Sequence, residues 1–206
     1  MNVPAYWKQA TQDLSERDAV IRKIAAKSRG LTLRSRGDAF NTLARSIVGQ
    51  QISVKAAASV WQKLNTAVPA IHPQAIHAHD IEALRACGLS RSKVAYLQDL
   101  AFHFVESKLN IERWEHMSDG ELIAELTQIR GIGRWTAEMF LIFYMTRPDV
   151  LPLDDIGLHR AMRLHYNHGK PLSKLKINAI AKLWTPWRSV ATWYMWRSLE
   201  PIPVEY

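Results

Sequence analysis

In the stretch LTQIRGIGRWTAEMF two glycines, Gly131 and Gly133, stand between an apolar, helix-like end and a second helix-like segment that opens around Arg134. Glycine permits tight backbone turns and carries no side-chain bulk. Amides at the N-terminus of the second segment can therefore approach a phosphate, helped by the helix dipole. This is a helix-hairpin-helix pattern, and contacts of that kind hold a nucleic-acid backbone without reading its bases. The same two glycines would also serve an ordinary helical turn, because short glycine patterns are weakly specific. Twenty residues beyond Trp135 comes Asp155, in LPLDDIGLHRAM. An ionised carboxylate there could stabilise a developing cation or orient water. An aspartate pair directly ahead of a helix-like segment is equally where an N-cap belongs.

Other reactive side chains point to less. His77 and His79, in HAHD, have no further matching ligands and read as an exposed loop, so no catalytic metal is expected. The lone cysteine, Cys87, precedes a glycine in LRACGLS and reads as a small buried hydrophobe. One cysteine excludes an internal disulfide and any Cys-rich zinc or iron–sulfur site, which fits a reducing compartment. Lys and Arg total 27 against 19 Asp and Glu, and the net charge of +8 favours a polyanionic partner, although a merely solvated basic surface would carry it too.

These residues need a scaffold, and the pattern that supplies it is helical. Phe40, Leu43, Ala44, Ile47 and Val48 share one helical face, as do Val60, Trp61 and Leu64, and Val94, Leu97, Ala101 and Phe104. No alternating strand is evident. Ser118 precedes Glu121 by three residues, as in a capping box, and Ser15, Asp38, Ser53, Ser90 and Ser173 each open an apolar-periodic segment. Gly30, Gly49 and Gly88 sit where a left-handed residue ends a helix, and Pro148 and Pro186 interrupt later segments. About ten helices and an all-α fold are predicted. The 206 residues, 48% hydrophobic, suffice for one compact domain or two small lobes. The best boundary is TRPDVLPLDD, an extended connection between two prolines. The longest apolar run, AEMFLIFYM, is too short for a bilayer, and the N-terminus has no signal-like apolar core, so no membrane association is expected.

Taken with SIVGQQIS, GLSRSKVAYLQDLA and the late WTPWRSVATWYMWR, the hairpin and Asp155 resemble the helix-hairpin-helix superfamily of base-excision DNA glycosylases, in its DNA-3-methyladenine glycosylase II branch. The resemblance implies two all-α helical lobes with a cleft between them. Residues 36–147 would carry the hairpin, while residues 1–35 would pack with a C-terminal lobe, 148–206, that bears the catalytic carboxylate. It implies a hydrolase that flips alkylated purines of the 3-methyladenine and 7-methylguanine type out of duplex DNA and leaves an abasic site. Asp155 takes the catalytic role, and Asp154 becomes the cap or a structural partner. Bifunctional relatives carry a Schiff-base lysine where this chain has Trp135, so monofunctional chemistry is expected. Lys93 is off that motif and reads as a surface or phosphate-facing lysine. Trp135 and Trp196 match aromatic positions of the base pocket, while Met139 stands where a relative has a pocket tyrosine, a departure that bears on lesion range. Gly131, Gly133 and Arg134 would lie at DNA phosphates, and Gln51 matches the side chain pushed into the space left by the flipped base. The hairpin is expected to hold a structural monovalent cation on backbone oxygens, with no catalytic cofactor. A monomer is expected, acting on damaged double-stranded DNA in the cytoplasm at the nucleoid, or in the nucleus if the source is eukaryotic. Two rival readings are a glycosylase of the same superfamily for another lesion and a non-catalytic DNA-binding module.

Overall fold

The computed structural model describes residues 3–35, 37–68 and 70–199. All regular structure among them is helical, with no strand. In chain order the helices are α1 (Trp7–Arg17), α2 (Ala19–Lys27), α3 (Ala39–Gly49), α4 (Val54–Ala67), α5 (Pro73–Ala78) and α6 (Ile81–Ala86). They continue as α7 (Arg91–Val105), α8 (Asp119–Leu126), α9 (Arg134–Phe143), α10 (Ile156–Tyr166), α11 (Lys174–Ala181) and α12 (Arg188–Arg197). Single 3-10 turns occur at Ile111–Arg113 and Lys182–Trp184. None of these helices is long and apolar enough to cross a membrane.

Polar residues at the predicted starts do cap helices. Asp38, Ser53, Ser90 and Ser173 each accept a backbone N–H in the first turn, and Ser118 and Glu121 complete a reciprocal capping box. Ser15 does not: it lies inside α1, and Asp18 caps α2 instead. Gly30 and Gly88 are left-handed at φ 81° and 96°, but Gly49 is simply the last residue of α3, and the left-handed position belongs to Gln51 at φ 57°. The twelve helices exceed the ten expected because α5 and α6 have six residues each, too few for a helical repeat to show.

The described residues divide into two compact units: residues 37–140, and residues 3–35 together with 141–199. In the first, α7 packs against α3 and α5 around Leu43, Ile47, Val94, Leu97 and Ala101, all buried. Trp114, also buried, meets Phe104 and Phe140 edge-on and donates its indole N–H to Glu125 at 2.8 Å. In the second, α12 packs against α1, α2 and α10. Every residue of α12 from Ser189 to Trp196 is buried, so this helix has no solvent face along those two turns. Asp18, 6% exposed, ties this unit together: Oδ1 caps α2 through Val20 and Ile21, and Oδ2 accepts from the Tyr166 hydroxyl at 2.6 Å and the Trp184 indole at 2.9 Å. The phenol of Tyr166 is held far above its ordinary pKa, first by burial and then by this carboxylate.

Candidate functional site

The hairpin is α8, a turn over 127–133, and α9. Its two glycines turn out to be unequal. Gly131 is left-handed at φ 85°, and a Cβ there would sit 2.3 Å from the Tyr96 ring, so geometry and packing both demand glycine. Gly133 is exposed, and a Cβ on it would meet nothing within 4 Å. No described residue accounts for glycine at 133, and the backbone at the N-terminus of α9 is left open to close approach from outside. Three bonds brace the turn: Ile132 N–H to the Ile129 carbonyl at 3.0 Å, Arg130 N–H to Asp99 Oδ2 at 2.7 Å, and Gln50 Nε2 to the Gly131 carbonyl at 2.9 Å. Arg134 projects into solvent, 69% exposed, and its Nε donates to buried Glu138 one turn on at 2.9 Å.

Beside the hairpin, within the same unit, lies a pocket of about 790 Å³ whose lining includes Gln50, Gln51, Gly131, Gly133, Trp135 and Met139. The structure thus brings together five of the residues singled out in the sequence. Trp135 is half-buried and Met139 is 2% exposed. Gln51 is exposed, at the point where the chain reverses out of α3. Arg134 is not among the lining residues.

The other unit holds Asp155 and Trp196. The segment 144–155 between α9 and α10 is irregular, yet it is fastened to the start of α12. Arg188 bonds both oxygens of Asp149, at 2.7 and 2.9 Å. The Ser189 hydroxyl donates to the Arg147 carbonyl and accepts from Val150 N–H. The chain then turns through Asp155 N–H to the Pro152 carbonyl at 3.0 Å and enters α10. Asp155, 5% exposed, is the N-cap: its Oδ1 accepts from Leu158 N–H at 2.6 Å and from the Trp196 indole at 2.7 Å. Two N–H donors and the positive end of α10 thus complement a negative charge at this point. Trp196 is fixed in turn by stacking on Phe143, with centroids 5.7 Å apart and planes 15° apart.

Of the two roles expected for Asp154, cap or structural partner, the structure has the second: it is a largely exposed residue that ion-pairs with Lys174, and the capping role falls to Asp155 itself. Capping and catalysis, read in the sequence as alternatives, are compatible, since the cap fixes the orientation of the carboxylate. Lys93 is not a surface lysine: it is half-buried, its Nζ donates to the Val48 carbonyl at 2.7 Å, and burial pushes its pKa down. His77 lies on α5 rather than in a loop, and no group of His, Cys, Asp and Glu able to hold a metal occurs among the described residues. Cys87 is buried as expected, and burial raises its thiol pKa.

Two further residues escaped the sequence reading. Gly157 faces the carboxylate, and a Cβ there would lie 3.1 Å from both Asp155 Oδ1 and Trp196 Cδ1. Its position two residues after an N-cap aspartate was the one available signal. Gln50, which ties the α3 exit to the hairpin, had none beyond standing next to Gln51.

The chain is similar to known proteins over most of its length. Residues 44–188 match the model of the HhH-GPD superfamily base excision DNA repair protein. DNA-3-methyladenine glycosylase 1 of Schizosaccharomyces pombe is 34% identical over 165 residues, covering 77% of this chain and 72% of that protein. Among solved structures, a DNA-3-methyladenine glycosidase from Bacillus halodurans superposes with a TM-score of 0.83 at 30% identity, over 96% of this chain and 92% of that one. A 3-methyladenine DNA glycosylase of Schizosaccharomyces pombe, in complex with abasic DNA, superposes with a TM-score of 0.80 at 30% identity, over 92% of this chain and 96% of that one. The hairpin, the buried aspartate and these similarities together place the chain in the HhH-GPD superfamily of base excision DNA repair proteins.

Proposed function

We propose that the protein is a monofunctional DNA glycosylase that hydrolyses the N-glycosidic bond of alkylated purines, of the 3-methyladenine and 7-methylguanine type, in duplex DNA. The observation that carries this reading is Asp155, a buried carboxylate whose Oδ1 is anchored by two N–H donors, in a chain whose relatives are named 3-methyladenine glycosylases. Methylation at N3 or N7 leaves the purine cationic and a good leaving group, so the enzyme has little acid catalysis to supply. Its task is to stabilise the oxocarbenium character of the sugar as the bond breaks and to orient water, which an oriented, ionised carboxylate does. Trp135, standing where lyases carry a lysine, has no amine to form a Schiff base, so water is the nucleophile and an intact abasic strand the product.

The remaining residues take roles around that step. Trp135, on the wall of the pocket beside the hairpin, offers a ring face to a cationic base, a good contact contributing about 0.5–2 kcal/mol. Met139 supplies an adaptable apolar wall. Gln51 enters the space vacated by the flipped base, and the amides of the Gly131–Arg134 turn grip phosphate. A structural monovalent cation at this turn belongs to the same proposal, held by neutral backbone carbonyls. The protein acts as a monomer on damaged duplex DNA, at the nucleoid or in the nucleus.

The test is incubation with methylated duplex, with free base and strand breaks measured separately. Free base with abasic, unbroken strands is expected. Enzyme-made nicks would refute the monofunctional reading, and binding without release would leave a non-catalytic module. Because the protein carries a net charge of +8 and its grip is on phosphate, affinity for undamaged duplex should fall at least about tenfold between 50 and 200 mM salt. A salt-insensitive titration would remove the physical basis for the phosphate contacts at the hairpin.

A further inference from the structure

The chain leaves α3 by an abrupt route. Gln50 is extended at ψ 131°, and Gln51 is left-handed at φ 57°, a conformation that a non-glycine residue keeps only when its surroundings hold it there. Two side-chain bonds flank this reversal. Gln50 Nε2 reaches the Gly131 carbonyl, and Lys93 Nζ reaches the Val48 carbonyl, three residues before Gln51. Val48 O belongs to the last turn of α3, whose carbonyls have no partner within the helix, and an ammonium there also faces the negative end of the helix dipole.

Lys93 does not act alone. On α7, Tyr96 and Asp99 follow it at intervals of three, on the same side of the helix. The Tyr96 ring fills the space beside Gly131, and Asp99 Oδ2 accepts from Arg130 N–H at 2.7 Å. One face of α7 therefore holds both the α3 exit and the hairpin turn. A lysine needed only for solvent or phosphate would extend outward, whereas this one turns its ammonium onto a backbone carbonyl, in a charge-assisted bond that offsets its partial burial.

From this geometry we infer that Lys93 is a positioning residue for base extrusion: through the Val48 carbonyl it keeps Gln51 in its left-handed, outward conformation beside the hairpin. The inference rests on the reading of Gln51 as the side chain that fills the gap in the duplex. Single-turnover release should be compared for Lys93→Met, Gln51→Ala and the double variant, on methylated duplex and on the same strand alone. Lys93→Met is expected to slow release from duplex by about tenfold and to leave the single strand within about twofold, because only the duplex has a gap to fill. The double variant is expected to be no slower than the slower single one, since the two residues act in series. Hydrogen exchange in the DNA-free protein supplies a readout independent of activity: amides 50–52 should exchange faster in Lys93→Met, while those of α8 should not.

Unchanged exchange at 50–52 overturns the inference whatever the activities. So do equal losses on both substrates, losses that multiply in the double variant, or a silent Lys93→Met beside a duplex-specific Gln51→Ala. A Gln51→Ala protein as active as wild type on both substrates would sink the reading of Gln51, and faster exchange at 50–52 would then still register the hold on the loop. If Lys93→Met does not fold, Lys93→Gln, too short to reach the carbonyl, carries the same expectations.

Discussion

Asp155→Asn is expected to keep the fold and to lower single-turnover base release by on the order of 10²–10³. The substitution separates the capping role that the structure shows from the catalytic role proposed for this residue. An amide oxygen accepts hydrogen bonds as the carboxylate oxygen does, so Leu158 N–H and the Trp196 indole keep their partner, and asparagine caps a helix about as well as aspartate. What is lost is the charge that faces the sugar in the proposed reaction. Duplex affinity should be retained, because the phosphate contacts assigned to the hairpin come from other residues. Asp154→Asn is the matched control: its ion pair with Lys174 is exposed on both sides, and neither release nor unfolding temperature should change measurably. Full release by the Asp155→Asn protein, with the unfolding midpoint preserved, would show that Asp155 is a cap and nothing more.

Gly131→Ala should be the most destabilising of the hairpin substitutions, by about 2–5 kcal/mol, the sum of left-handed strain and forced overpacking. The Tyr96 ring cannot yield cheaply, since two of its atoms would stand 2.3 Å from the new methyl group. For a chain of this length the loss corresponds to a fall of roughly 5–15 °C in unfolding midpoint. Gly133→Ala gives the opposite signature, with unfolding unchanged, because nothing lies within 4 Å of its Cβ, and with duplex affinity reduced, because the methyl group would keep phosphate from the amides. Thermal melts and a duplex titration on the two variants decide the matter. A Gly131→Ala protein that melts like wild type would mean that the turn relaxes away from Tyr96, and undiminished affinity in Gly133→Ala would move the phosphate contact elsewhere.

Much of the scaffold was legible because helix starts are local. Asp38, Ser53, Ser90, Ser118 and Ser173 each bond an amide within three residues, and a pattern of that reach survives in a linear reading. The hairpin was legible for the same reason. Bonds between residues distant in the chain were not. Nothing in GLSRSK says that the lysine will turn toward a carbonyl 45 positions earlier, and nothing in LPLDD says which aspartate will meet an indole 41 positions later. Resemblance to a family selected Asp155 for catalysis and the aspartate pair ahead of α10 marked an N-cap, but that one carboxylate oxygen holds both the cap and the Trp196 indole follows from packing alone. That α3 ends at Gly49 as expected but the left-handed residue after it is Gln51 has a related cause: glycine is the usual left-handed residue, so Gln51 at φ 57° runs against propensity, as conformations imposed by tertiary contacts do.

The burial of α12 on every side carries an evolutionary consequence. From Ser189 to Trp196 a change of side-chain volume has no solvent to expand into and must be absorbed by neighbours that include the partner of Asp155. Few substitutions should therefore be tolerated along this helix, and more room is left in the hairpin unit. There Met139 lines an open pocket in which a side chain of another volume has room, so substitutions of that wall should cost less stability than those along α12.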